Sequence, residues 1–137
     1  MAETFRVEIV AADRLVWEGD AIQLNATTTE GEIGVLAHHI PLIATLAPGM
    51  AEVTETDGTR HMVAVEGGFI SVTADRTAII SPYAQMARDV DVEEARRVLN
   101  DMRNKRDAGD NSVATTTAYH RALAQVKAAD RSQADMR

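Results

Sequence analysis

No cysteine occurs in the 137 residues, so neither disulfides nor thiolate metal ligands are available. Aromatic residues make up only 4% of the chain, one Trp, two Tyr and two Phe. Any core must therefore be aliphatic, and the aromatic platforms that sugar sites use are scarce. No uninterrupted apolar run approaches the roughly 18 residues of a membrane span. The opening Met1-Ala2-Glu3-Thr4 has neither a basic segment nor an apolar stretch, so the expectation is a soluble protein that works where it is made. Asn25-Ala26-Thr27 fits the glycosylation sequon, but without secretion the match is chance. Basic charge is short too. Fourteen Lys/Arg against 21 Asp/Glu give a net charge of −7, which argues against nucleic-acid binding.

What is present suits one domain, or one small domain with an appendage. At 45% hydrophobic the chain can bury a real core. Charge divides it unevenly. Residues 1–84 carry twelve acids and four Lys/Arg, and residues 85–137 carry nine acids and ten Lys/Arg. Such asymmetry marks two modules with different surfaces to meet.

The first module reads as β structure. Phe5, Val7 and Ile9 alternate with polar neighbours, as do Ile22, Leu24 and Ala26, the period-2 pattern of half-buried strands. Asp57-Gly58, between runs at 50–56 and 60–65, is the strongest hairpin signal. Gly67-Gly68 opens a run at 69–73, Ala74-Asp75 turns it, and 77–81 closes the set. Short strands with turns every 8–12 residues indicate an antiparallel sandwich or barrel. Phe5, Val7, Ile9, Ile22, Leu24, Ile70 and Val72 are its expected core.

The pattern changes near Pro82. Asp91 followed by Glu94 forms a capping box, and Ala95, Val98, Leu99 and Met102 recur at helical spacing. Asn104 to Arg106 end that helix with positive charge. Gly109 to Ser112 turn, with Asn111 or Ser112 placed to cap a second helix over about 114–129. Its stripe is Ala118, Ala122, Leu123 and Val126. Both stripes are narrow and alanine-rich, so the hairpin depends on docking elsewhere and is expected to be mobile.

Catalytic patterns do not assemble. Glu30 and Glu32 share a face of an extended segment, as a glycosidase pair would, but read better as an exposed acidic rim. His38, His39, His61 and His120 include no pair at helical i, i+4 spacing that would suit zinc. No Gly-x-Ser-x-Gly turn occurs, and Gly67-Gly68 leads into a strand without the Gly-Lys-Ser/Thr of a phosphate loop. From composition and pattern, the chain is an acidic β-sandwich with a mobile helical hairpin, an interaction module.

One stretch is more specific. Glu30-Gly31-Glu32-Ile33-Gly34-Val35-Leu36 is followed by His38, His39, Pro41 and Leu42. Gly31 and Gly34 permit bends or positive φ, and Pro41 must lie in a loop or at a sheet edge. This layout resembles the rim of the epsilon subunit of F-type ATP synthases. The opening Phe-x-Val-x-Ile-Val, Leu-Val-Trp-Glu-Gly, Pro48-Gly49 and Val65-Glu66-Gly67-Gly68-Phe69-Ile70 are similar to that family in order and spacing, over nearly the whole chain.

The resemblance implies an α+β fold, an N-terminal antiparallel sandwich of about ten strands followed by a two-helix antiparallel hairpin. It implies a non-catalytic rotor subunit that links the gamma subunit to the membrane c ring, peripheral to the cell membrane on its cytoplasmic side through the complex. One face and edge of residues 1–84 would dock on gamma. Glu30, Gly31, Glu32, His38, His39 and Pro41 would meet the c ring. Residues 85–137 would form a regulatory tail, reaching the alpha and beta subunits when extended and inhibiting ATP hydrolysis.

An alternative is a nucleotide sensor, since some family members bind ATP through an Ile/Leu-Asp-x-x-Arg-Ala motif at the start of the first helix. Here Val90-Asp91 puts Glu94 where arginine belongs, while Val92-Glu93 restores Arg96 but replaces alanine with Arg97. Asp91, Glu93, Arg96 and Arg97 are thus the candidate nucleotide contacts of an incomplete motif. No metal or other cofactor is implied.

Overall fold

The computed structural model describes residues 3–135. Nine strands precede two helices: β1 (Phe5–Ala11), β2 (Leu15–Ala21), β3 (Gln23–Thr28), β4 (Gly31–Val35), β5 (Leu42–Thr54), β6 (Arg60–Glu66), β7 (Phe69–Val72), β8 (Arg76–Ser81) and β9 (Ala84–Met86). A 3-10 turn over Ala87–Asp89 leads to α1 (Val92–Asp107) and α2 (Val113–Asp135). The first sheet runs β2-β1-β8-β7-β5 and the second β4-β3-β5-β6-β9.

β5 belongs to both sheets. Leu42–Thr45 pair with β7, while Pro48–Thr54 pair with β6. Pro48, which has no N–H to donate, stands at the start of the β6 pairing, where the strand changes sheets. The expectation of about ten strands therefore becomes nine among the described residues, because one 13-residue strand serves both layers. Every pairing is antiparallel except β1 with β8, which run parallel.

Alternation decides which side chains fill the space between the layers. Val7, Ile9, Leu24, Val53, Val63, Ile70 and Ile79 are fully buried there. Two members of the expected core differ. Phe5 lies at the margin, partly buried against the cluster. Ile22 is half-buried in a bend, because the chain there passes from one sheet to the other. The Asp57-Gly58 turn forms as expected, with Gly58 at φ 87° and the Thr59 N–H donating to the Asp57 carboxylate at 2.9 Å. Gly68 is required by close packing: a Cβ there would lie 2.0 Å from the Ile80 carbonyl oxygen.

β9 carries the second sheet past Pro82, pairing Ala84 with Val65 and Met86 with Val63. The helices then fold back. Asp91 caps α1 by accepting the Glu94 N–H at 3.2 Å. Gly109, at φ 100°, ends it: the Gly109 N–H reaches the Arg106 carbonyl and the Asp110 N–H reaches Lys105, the paired bonds of a Schellman stop. Ser112 caps α2 through the Thr115 N–H at 3.2 Å. Asp110 braces this turn by accepting from the Ser112 N–H (2.9 Å) and the Thr115 hydroxyl (2.8 Å), bonds that hold its carboxyl below the usual carboxylate range.

α2 continues to Asp135, beyond the expected end near 129. It is buried on two sides. Ala122, Leu123 and Val126, from the expected stripe, pack with Ala95 and Leu99 of α1. Ala124 and Ala128 lie on Met50, Met62 and Ala64 of the second sheet. An apolar surface divided between two neighbours blurs the single stripe that helical periodicity detects.

Candidate functional site

The two outer faces of the sandwich differ. The hairpin covers the second sheet through one face of α2 that carries Arg121, Ala124, Gln125, Ala128 and Arg131. Arg121 Nε approaches Glu66 at 3.1 Å and its guanidinium lies over the Tyr83 ring, 4.5 Å from the centroid. Gln125 donates to the Tyr83 hydroxyl at 2.8 Å. Burial pushes the Tyr83 phenol up. Arg131 approaches Glu52 at 3.4 Å. Helical spacing alone could not find this stripe, because it alternates alanine with polar residues.

The first sheet leaves its outer face bare of helix. Register places Phe69 beside Ile80, Ile80 beside Val10, and Val10 beside Leu15, so apolar side chains cross four strands. Phe69 and Ile80 are each 43% exposed and Leu15 51%, with Ile43 nearby at 76%. Ion pairs flank the row: Arg76 to Glu8 at 3.0 Å and Arg6 to Glu18 at 3.3 Å. These residues alternate with core positions in the sequence, and a strand with apolar side chains on both faces is the signal that marks them.

The rim runs through β4, an edge strand of the second sheet, and the link that follows it. Glu30 and Gly31 form the turn into it, with Thr28 accepting the Glu30 N–H at 3.1 Å and donating to the Gly31 carbonyl at 2.6 Å. Gly31 takes φ 121°, whereas Gly34 stays extended within the strand. Glu30, Glu32, His38 and Pro41 are exposed, and His39 is half-buried. His38 sits at φ 68° with its ring against the Glu3 carboxylate. His39 Nδ1 donates to the Ile40 carbonyl at 2.7 Å. Pro41 is in the link before β5, as expected of a residue without an N–H. The acids and the histidines are not brought together. Glu30 and Glu32 lie at the start of a five-residue strand and the histidines beyond its end, a strand about 16 Å long at the usual rise. Leu36 and Ile40, 57% and 73% exposed, add apolar surface to the link.

Three of the four candidate nucleotide contacts already have partners. Asp91 caps the helix, and Glu93 is exposed. Arg96 pairs across the hairpin with Asp130. Arg97 pairs with Glu94 and, at 3.1 Å, with Asp101. The Arg97 guanidinium holds the Glu94 carboxyl below the usual range. Asp91, Glu94 and Arg97 thus form one surface cluster, while Arg96 is turned away from it toward α2. Among the described residues, no group of three or more His, Asp or Glu side chains is placed to hold a metal. No helix among them is long and apolar enough to cross a membrane.

The architecture is a two-layer sandwich with a helical hairpin folded onto one face. The sequence profile described as ATP synthase, delta/epsilon chain, beta-sandwich domain matches residues 4–87. The ATP synthase epsilon chain of Cutibacterium acnes is 38% identical over 132 residues, 90% of each chain. That of Rhodococcus opacus is 42% identical over 129 residues, 93% of this chain and 100% of the relative. The chain belongs to the ATP synthase epsilon chain family. Its fold is also that of a chain in the cryo-EM structure of the Euglena gracilis mitochondrial ATP synthase OSCP/F1/c-ring, with a TM-score of 0.76 at 23% identity, covering 98% of this chain and 82% of that one. A chain of the Tetrahymena thermophila mitochondrial ATP synthase central stalk/c-ring structure superposes with a TM-score of 0.56 at 16% identity, covering 96% and 97%.

Proposed function

We propose that this chain is a non-catalytic rotor subunit of a proton-translocating F-type ATP synthase, joining the gamma subunit to the membrane c ring. The observation that carries this reading is relatedness along nine-tenths of the chain to bacterial proteins named ATP synthase epsilon chain. The geometry supports it. A sandwich with a continuous aliphatic core is a stiff body that can transmit torque. Its bare apolar face, Leu15, Ile43, Phe69 and Ile80, is the surface that suits gamma. The line of exposed Glu30, Gly31, Glu32, His38 and Pro41, with half-buried His39, suits the polar, partly basic loops of a c ring. The chain is then held at the cell membrane, on its cytoplasmic side, through its partners.

In this reading the hairpin is a regulatory tail. Docked, it leaves rotation free. Extended, it carries Arg96, Arg97, Arg103, Arg106 and Arg121 toward acidic segments of the alpha and beta subunits and blocks ATP hydrolysis. ATP influences it weakly or not at all, because the motif is incomplete in both registers and Arg96 and Arg97 are engaged by Asp130, Glu94 and Asp101.

Co-purification is the first test. The chain should fractionate with a gamma-like subunit on a rotary ATPase, and a solitary protein with turnover of its own would overturn the reading. A tethered cross-linker at position 32 should reach a c subunit in the assembled enzyme, and failure there removes the rim assignment. Deleting residues 90–137 should raise ATP hydrolysis without loss of assembly, and unchanged hydrolysis removes the inhibitory role. Tight ATP binding by the isolated chain would contradict the weak response.

A further inference from the structure

Two carboxylates on the outer face of the second sheet are nearly buried, and α2 is what approaches them there. The Glu52 side chain is 8% exposed and the Glu66 side chain 10%. Arg131 and Arg121, both about half exposed, reach them at 3.4 and 3.1 Å. Arg60 on β6 also approaches Glu52, at 3.6 Å. On the helix side the apolar part of the same contact is only alanine: Ala124 and Ala128 against Met50, Met62, Ala64 and Ala87. Ten residues separate the two arginines, about 15 Å of helix, so the pairs clamp the sheet-facing stripe at both of its ends.

We propose that these pairs, Glu66–Arg121 and Glu52–Arg131, form a two-point ionic latch that sets whether α2 lies on the sandwich. Alanine methyls bury little surface and give the contact little apolar drive. A charge pair in which one partner is buried is screened less than a surface pair, and losing either partner leaves a carboxylate uncompensated. Leaving the sheet restores water to both acids, which offsets much of the lost attraction. The docked and released states are thereby kept close in free energy, and charge at residues 52, 66, 121 and 131 tips the balance. The latch is a property of the isolated chain. Only its consequence, a change in how readily the tail inhibits the complex, rests on the stalk reading above.

The full-length protein tests it directly. Because the chain lacks cysteine, Thr59→Cys and Lys127→Cys introduce a clean pair of spin-label sites, one beside β6 and one on the exposed side of α2. Pulsed dipolar spectroscopy should give mainly one short distance at low salt. The longer-distance population should grow as salt rises from about 0.05 M to about 1 M. Arg121→Gln with Arg131→Gln should raise the ratio of released to docked chains about tenfold or more, with the unfolding midpoint of the sandwich unchanged. Exchanging the charges at one point, Glu66→Arg with Arg121→Glu, should bring the short distance back relative to either single change. An unaltered distribution in the glutamine variant, or no recovery in the exchanged pair, would overturn the latch. A latch that operates in a chain that fails to bind gamma would instead count against the stalk reading, so the two failures are separable.

Discussion

The interior of the sandwich and the seat of the hairpin are built from side chains of different size. Between the sheets, Val7, Ile9, Leu24, Ile70 and Ile79 are fully buried and branched. Under and between the helices the buried residues are chiefly Ala95, Ala122, Ala124 and Ala128. Burying a Val, Leu or Ile side chain contributes about 1.5–3 kcal/mol, whereas one methyl or methylene group contributes about 0.8. The same chain therefore holds a stiff body and a lightly held arm. Whether an element can leave its partner is read from the size of the side chains it buries there.

The largest effect should come from the body. Ile9→Ala should destabilise the whole protein by about 2–5 kcal/mol, lowering the midpoint of guanidinium unfolding. A loss confined to the hairpin would break the comparison. Next comes the seat of the arm. Ala124→Leu overfills the contact with Met62 and Ala64 and should cost about 1–3 kcal/mol of docking. Hydrogen exchange should speed up in α2 while β1, β7 and β8 keep their protection, and equal loss of protection in both regions would show that they unfold as one unit. The smallest change is local. Ser112→Ala removes the α2 cap and should cost about 1 kcal/mol, visible as fraying of residues 113–116 in the same exchange experiment. Protection there equal to that of the native chain would mean that Asp110 alone holds the turn.

Much of this contrast could be read from the sequence. Period-2 alternation placed Val7, Ile9, Leu24, Ile70 and Val72 in the core, and Asp57-Gly58 and Gly67-Gly68 located turns because glycine geometry leaves a strong local mark. The cap at Asp91 was equally local, and of Asn111 and Ser112, both open for the second cap, the fold uses Ser112. What sequence could not supply is what faces what. β9 is three residues long and forms only because β6 offers it an edge. The Ala124–Ala128 stripe was missed because a helix with two partners shows two weak stripes instead of one strong stripe. Glu52, between Ala51 and Val53 in β5, looks like any solvent-facing strand residue until Arg131 and Arg60 arrive from distant parts of the chain. The rim residues were named from resemblance, and their spread along the β4 edge depends on strand pairing that no local pattern encodes.

If the sandwich is complete without the helices, it folds and carries the docking surface by itself. A fragment of residues 1–90, which keeps β9 and the Ala87–Asp89 turn, tests it most directly when its denaturant unfolding and its binding to the gamma subunit are measured side by side. A single cooperative transition and gamma binding like that of the full chain are expected. A broad, non-cooperative transition, or a folded fragment that no longer binds gamma, would contradict it.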